Sequence, residues 1–294
     1  MKENRDISIV VLNWNTSDLL GGALESIVAT AESLTYDVMV IDNASSDGGF
    51  ERVSDALKND PRFLFVQNEK NMGWAAINVM LEQTKGKYIV TIDPDAIVHK
   101  NALQSLFAFM ETRPEAGAVT AKLLNADGSL QRYYRRLMTP SAYFFTTLIG
   151  RLLDKYFFKL RYFTRYRYEN ASFTEVAEVE QPAWPCLMWR REAIGAYIVD
   201  KNIPFYFLDV DMSKRLYDRG YKIFLIPEAT IAHLKSTSYS KVNNTWRWLE
   251  YNRSLMYYFK KHYPFIVPVI WILLHTDRLL RAIVVYLIGR DPLR

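Results

Sequence analysis

The run Tyr88-Ile-Val-Thr-Ile-Asp-Pro-Asp95 decides how this chain is read. Its first five residues are apolar or β-branched, the pattern of a short strand buried on both faces. The run ends in two carboxylates separated by a single proline. Asp-Pro-Asp is good turn chemistry. It is also the pattern that holds a divalent cation against a diphosphate, because Mg²⁺ and Mn²⁺ prefer oxygen ligands and bind through one or two carboxylates plus substrate phosphates. What the rest of the chain brings beside the pair separates the two readings.

Working backwards, apolar runs at residues 7–12, 36–41 and 63–67 predict three more strands, and helical patterns fall at 19–31, 50–58 and 74–84. A further helix is predicted at 101–112. Strand and helix thus alternate four times, which implies parallel β-α-β units with helices on both faces. In such sheets ligands bind outside the carboxyl ends of the strands. The polar loops after the first, second and fourth strands therefore share one edge, and Asn13, Trp14, Asp42, Asp93 and Asp95 meet at one crevice.

The second half changes character. Strands are predicted at 118–123, 176–179, 186–189 and 221–226, with a helix at 212–219 preceded by the paired acids Asp209 and Asp211. His233 falls in a predicted loop, one of four histidines in the chain. The stretch Gln131-Arg-Tyr-Tyr-Arg-Arg136 is basic and aromatic. From residue 246 the chain reads as helix. The apolar pieces 265–274 and 282–288 are interrupted by Asp277, Arg278 and Arg281, and each is shorter than the roughly 20 residues a transmembrane helix needs. Amphipathic helices lying on a membrane surface fit better, with Lys260, Lys261, Arg278, Arg281 and Arg290 at the headgroups. A helix pair packed on the core, or a homodimer interface, is the alternative.

Composition bounds the function. The chain has 294 residues, half of them hydrophobic, a formal charge of +5 and a pI near 9.0. That balance favours anionic partners such as nucleotides or phospholipid headgroups. The single cysteine, Cys186, excludes a disulfide within the chain and fits a reducing compartment. The N-terminus runs straight into a strand without an apolar leader, so a cytoplasmic protein is expected, peripheral on the inner face of the membrane. No Gly-x-Gly-x-x-Gly follows the first strand, which argues against a dinucleotide-dependent oxidoreductase. The basic residues are scattered without a recognition motif, so nucleic acid is not an expected partner.

The ordered set Val10-Val-Leu-Asn-Trp-Asn15, Val40-Ile-Asp-Asn-Ala-Ser-Ser-Asp47, Asn71-Met-Gly-Trp-Ala-Ala76, Asp93-Pro-Asp95, Leu208-Asp-Val-Asp211 and His233 resembles the family 2 glycosyltransferases. The resemblance covers about residues 7 to 240. It implies a GT-A fold with a mostly parallel central sheet, helices on both faces and a C-terminal helical extension. Residues 1–240 would form the catalytic domain, with a nucleotide-binding half (1–117) and an acceptor half (118–240), and 241–294 the membrane-surface helices. The chain is most similar to bacterial rhamnosyltransferase-like members, which carry a Gln-Arg-x-x-Arg-Arg stretch like that at Gln131. The implied reaction is inverting transfer of a sugar, first L-rhamnose from dTDP-L-rhamnose. The implied acceptor is a polyprenyl-diphosphate-linked or other glycan in cell-surface polysaccharide synthesis.

The resemblance assigns roles residue by residue. Trp14 would stack on the nucleobase, Asp42 would accept from its N–H, and Asn13 and Asn15 would shape the loop. Asn71 and Gly73 would let the backbone approach the nucleotide, with Trp74 and Asn78 on the same wall. Asp95 and His233 would ligate Mg²⁺ or Mn²⁺, with Asp93 beside the ribose and the metal. Asp209 would be the base, with Asp211 as the alternative. Arg132, Arg135 and Arg136 would bind phosphate, since guanidinium matches its geometry; a solvated basic face is the competing reading. Two departures stand out. Leu208 replaces the Glu that precedes the base, and Trp184-Pro-Cys-Leu-Met188 replaces a Gly-Ala pair at the sugar wall. A non-catalytic binding protein on the same fold is the second reading those departures leave open.

Overall fold

The computed structural model describes residues 5–234 and 243–288, with the side chain at 288 left out. Nine strands form one sheet: β1 (Arg5–Asn13), β2 (Tyr36–Asp42), β3 (Phe63–Gln67), β4 (Gly86–Ile92), β5 (Ala96–Val98), β6 (Ala116–Leu124), β7 (Ala177–Glu178), β8 (Cys186–Arg190) and β9 (Lys222–His233). The order along the sheet is β3-β2-β1-β4-β8-β6-β9-β5, with β7 against β9. Pairing is parallel across β3-β2-β1-β4 and between β6 and β9; β8 enters antiparallel to both β4 and β6. The α/β architecture is the one the alternation predicts. Nothing in an apolar strand such as Cys186–Arg190 encodes its direction, and that is why the antiparallel insertion is visible only in the structure.

Ten α-helices accompany the sheet among the described residues. They are α1 (Ser17–Thr30), α2 (Phe50–Leu57), α3 (Ala102–Thr112), α4 (Pro140–Thr146), α5 (Leu148–Leu153), α6 (Tyr162–Tyr166), α7 (Arg191–Ile194), α8 (Leu208–Asp218), α9 (Asn244–His262) and α10 (Val267–Ile288). The helix predicted at 74–84 is instead a 3₁₀ helix over Gly73–Met80. Its tighter turn presents the Asn78 amide to a neighbouring backbone: Nδ2 donates to Val199 O at 2.6 Å, and Oδ1 accepts from the N–H groups of Ile198 and Val199.

His233 does not sit in a loop. It ends β9, because β5 supplies antiparallel backbone partners for the last residues of that strand, with Ala96 opposite His233. The pairing of β9 with β6 skips between Ile226 and Thr230, where Pro227 cannot donate to the ladder.

Two apolar cores coexist. The larger one lies on the sheet. The smaller joins Met138, Tyr143 and Tyr166 to Leu255, Tyr258, Phe259 and Ile270 of the C-terminal helices. The boundary expected at 240 falls outside the described residues, as do Lys235, Ser236, Ser238 and Arg290. The polar interruption of the apolar pattern at 276–278 does not break the helix, since α10 runs through it. Asp277 pairs one turn ahead with Arg281 at 2.7 Å and accepts the N–H of Leu148, so its charge is held inside the fold. No helix among the described residues is long and apolar enough to cross a membrane.

Candidate active site

The carboxyl ends of β1, β2 and β4 open onto a cavity of about 1060 Å³. Trp14, Asn71, Gly73, Trp74, Asp93, Asp95, Asp209 and His233 line it, as the sequence predicts. They come from both halves of the chain, joined by Trp246 and Arg247 at the start of α9.

One wall is built by the first two βα loops. Parallel register sets Asn13 beside Asp42, and Asn13 Nδ2 donates to Asp42 Oδ1 at 2.8 Å. Both residues are fully buried. Asp42 Oδ2 accepts from the Ser45 N–H at 3.0 Å. Asn15, at φ 54°, accepts from Ser46 N–H through Oδ1 and donates its own N–H to Ser45 Oγ. Asparagine tolerates that left-handed conformation. The result is a clamp that holds Trp14 at the cavity, while Asp42 itself sits beneath the wall rather than on it.

Asn43, overlooked in the sequence, does line the cavity. It ties Asn71 and Gly73 together: its Nδ2 donates to Asn71 Oδ1 at 2.8 Å and to Gly73 O at 3.1 Å. Gly73 has φ 60°, and a Cβ there would lie 2.7 Å from Pro204 O. What approaches this glycine is therefore the chain at Pro204, which accepts the Trp74 N–H at 2.8 Å. Trp74 packs edge-on against Trp184, 5.3 Å between centroids. The Trp184 indole N–H is buried at the cavity and has no acceptor among the described residues.

At the floor, Asp93, Asp95 and His233 bring one ligand atom each within 4.8 Å of one another. His233 Nε2 lies 3.4 Å from Asp95 Oδ1 and 3.8 Å from Asp93 Oδ2. The first distance suits an ion pair, but no hydrogen bond is aligned there: both oxygens of Asp95 and Oδ1 of Asp93 are buried without a hydrogen-bond partner. Burial, and then the neighbouring Asp95 charge, push the Asp93 carboxyl up to about 7, against the opposing pull of His233.

Gln131 fixes the histidine. Its Nε2 donates to His233 O at 2.6 Å, which turns its Oε1 toward His233 Nδ1 at 2.9 Å. The amide orientation follows from that donation, so Nδ1–H donates to Gln131 Oε1 and Nε2 is the ring nitrogen turned toward the two carboxylates. Two buried carboxylates with unmatched oxygens and an imidazole nitrogen beside them fit a divalent cation of the Mg²⁺ or Mn²⁺ class, with oxygen ligands and one nitrogen.

The paired acids separate cleanly. Asp209, in the first turn of α8, lines the cavity and accepts from Gln181 Nε2 at 2.8 Å. Burial raises its carboxyl above the ordinary range, opposed by Gln181 and by N–H groups of the helix start. Gln181 thus supports the acid where Leu208 offers nothing polar. Asp211, two residues on, faces away from the cavity. It is fully buried and pairs with Arg215 at 2.9 Å, Lys261 at 2.7 Å and His262 at 2.8 Å. Despite its burial, these partners hold its carboxyl down at about 2. Asp211 ties α8 to α9, and the alternative of Asp211 as base loses its geometry.

Four other expected contacts are spent elsewhere. Asn78 does not line the cavity; its amide holds the 198–199 backbone. Arg132 donates to Ala171 O at 2.9 Å, Arg135 to Tyr134 O at 2.7 Å, and Arg136 pairs with Glu180 at 2.9 Å. The stretch reaches the cavity through Tyr133 instead.

Comparisons agree with this geometry. An N-acetylglucosaminyltransferase of Azorhizobium caulinodans is 26% identical over 197 residues, covering 66% of this chain and 44% of that protein. The poly(ribitol-phosphate) β-N-acetylglucosaminyltransferase TarP of Staphylococcus aureus is 28% identical over 108 residues, 36% of this chain and 33% of its own. The chain spans about half the length or less of the curated relatives it matches. A solved structure of GalNAc-T7 with UDP, GalNAc and Mn²⁺ superposes with a TM-score of 0.63 at 15% identity, over 87% of this chain and 48% of that one, which shows a shared GT-A fold. The model of glycosyl transferase family 2 matches residues 8–172, more than half of the sequence, and the chain therefore belongs to that family.

Proposed function

We propose that this protein is a metal-dependent, inverting glycosyltransferase that uses a nucleoside-diphosphate sugar and a glycan acceptor. The observation that carries the reading is one cavity in which the unmatched carboxylate oxygens of Asp93 and Asp95, with His233 beside them, and a separate carboxylate, Asp209, face the same space.

Asp95, His233 and Asp93 would hold the metal, which supplies Lewis-acid stabilisation of the departing diphosphate. Trp14 offers an aromatic face for the nucleobase, and the clamp beneath it keeps that face in place. Asp209 takes the proton of the acceptor hydroxyl. A base works best when its pKa is drawn toward the operating pH, and burial moves Asp209 in that direction. Gln181 keeps the accepting carboxylate oriented. One carboxylate on the acceptor side matches direct displacement with inversion, in which no glycosyl-enzyme is needed.

The acceptor is proposed to be a lipid-linked glycan at the inner membrane face, reached through the C-terminal helices. The donor class is narrower than the donor. The resemblance favours dTDP-L-rhamnose, while the names of two relatives favour an N-acetylglucosamine donor. Thermal-shift screening of dTDP-, UDP- and GDP-sugars with Mn²⁺ ranks them, because a ligand that binds the folded state raises its melting temperature by mass action. The decisive variant is Asp209→Asn. Transfer should fall by about 10²–10⁴-fold while donor affinity stays within a few-fold. Undiminished transfer by this variant would remove Asp209 as base. Metal-dependent donor binding without any transfer or hydrolysis would favour the non-catalytic alternative.

A further inference from the structure

The segment between α5 and α6 projects apolar side chains that no part of the fold covers. Residues 155–161 read Lys-Tyr-Phe-Phe-Lys-Leu-Arg, and every one is exposed. Tyr156 is 60% exposed, Phe157 76% and Phe158 53%. Three adjacent exposed aromatics are costly in water, since each buries a large apolar area when given a partner.

The segment begins as a π-helical turn over Asp154–Phe158 and closes in a short loop, and it is built, not slack. Asp154 is buried and gathers it from within: its carboxylate accepts the N–H of Leu160 at 2.9 Å and of Tyr162 at 2.6 Å, and its carbonyl accepts Lys159 N–H at 2.7 Å. Lys159 and Arg161 take left-handed φ values of 54° and 50°, conformations rare for such residues. Phe158 leans on Phe145, which itself stacks on Tyr162 at 4.5 Å. Strain that the surroundings hold in place tends to mark a segment with a task.

We propose that this Asp154-centred loop is a membrane-insertion element that docks on an anionic phospholipid surface. It extends the membrane face proposed above for the C-terminal helices, and rests on that reading only for its purpose. Charge identifies the occupant. Lys155, Lys159, Arg161 and Arg165 surround the aromatics and pair with no carboxylate among the described residues; residues 155–168 contain no acid. A twofold contact between copies of this chain would set these cations against themselves, which is repulsive. Headgroups of anionic lipid neutralise them while the rings enter the acyl boundary. Continuity supports the same occupant. Ile149 and Leu152 of α5 are partly exposed, and α5 is pinned to α10 by Asp277. There Trp271, Leu279 and Tyr286 present a second apolar surface, with Arg278 stacked on Trp248 at 4.0 Å.

The test uses the full chain, without donor or acceptor, and vesicles of phosphatidylcholine with or without phosphatidylglycerol. Binding should require phosphatidylglycerol and weaken with salt. Phe157→Ser should lower the partition coefficient about tenfold or more, and Lys155→Glu with Lys159→Glu by a similar factor. Phe157→Cys carrying an environment-sensitive fluorophore should show a blue-shifted emission on vesicle addition; Cys186 is buried, so the label reads insertion of this segment in the folded protein. Two results overturn the proposal: label emission unchanged at Phe157→Cys while the protein sediments with vesicles, or a dimer in ultracentrifugation that Phe157→Ser dissociates. Because no sugar is present, a failed transferase reading leaves this outcome untouched, and the reverse also holds.

Discussion

Two clusters in this molecule have nearly the same ingredients and opposite character. Each contains a buried aspartate next to a histidine. Around Asp211, two cations and an imidazole arrive: Arg215, Lys261 and His262 all lie within 2.9 Å of its oxygens. Around Asp95, another carboxylate arrives instead, and the histidine nitrogen stands 3.4 Å off without an aligned hydrogen bond. The first cluster is electrostatically complete and joins two helices. The second leaves three buried carboxylate oxygens unmatched for one imidazole, which a cation would complete. Burial alone does not mark a functional acid; the sign of what surrounds it does.

The largest effect should come from removing the incomplete charge. Asp95→Asn deletes a proposed metal ligand, and leaving-group stabilisation of several kcal/mol corresponds to a drop of about 10²–10⁴-fold in transfer. The same variant should abolish the Mn²⁺-induced rise in melting temperature and leave the metal-free protein as stable or more so. A metal-free protein clearly destabilised by Asp95→Asn would mean the cluster is already complete.

Asp211→Ala should do the opposite. Leaving Lys261 and Arg215 without their buried partner costs about 3–5 kcal/mol, read as a lower urea midpoint, while Mn²⁺ binding by the folded fraction persists. Gln131→Leu probes the histidine's orientation alone. Metal affinity, followed by the electron-spin resonance of free Mn²⁺, should fall about 10–100-fold, with little change in the midpoint.

The last effect is one of pH. Asp93 is raised in the folded state, to about 7, against about 3.9 when unfolded. Between those values the native protein binds more protons than the unfolded chain, so metal-free stability should fall as pH rises from 4 toward 7. Mn²⁺ should restore it, because metal binds the deprotonated form. Thermal melts at pH 5 and 8, with and without Mn²⁺, measure both signs. A metal-free protein more stable at pH 8 would contradict the assigned direction.

The residues that sequence reading found and those it missed differ in a physical way. Asp93 and Asp95 are legible because a strand end and a parallel alternation fix where they point. Trp14 and Asn13 follow from the same edge rule. Gln131 and Gln181 were not found, because a side-chain amide gains its role from a partner far along the chain that no local pattern records. The arginines of the 131–136 stretch mislead for the converse reason. A guanidinium suits phosphate, but it suits backbone carbonyls as well, and the carbonyls of 134 and 171 reach two of these arginines first. Whether one helix or two follow residue 265 is open in the sequence, because the apolar pattern is interrupted at Asp277 and Arg281; their i,i+4 pairing lets α10 run through.

The three-residue strand β5 has a consequence for how the protein assembles. Through its register, Ala96 opposite His233, it brings the residue after Asp95 onto the end of β9. Contacts between segments so distant in sequence form late, after most of the loop-closure entropy has been lost. The metal cluster straddles that pairing. Metal uptake should therefore report the completion of folding and lock it, so that the ability to bind a cation appears only once β5 has joined β9.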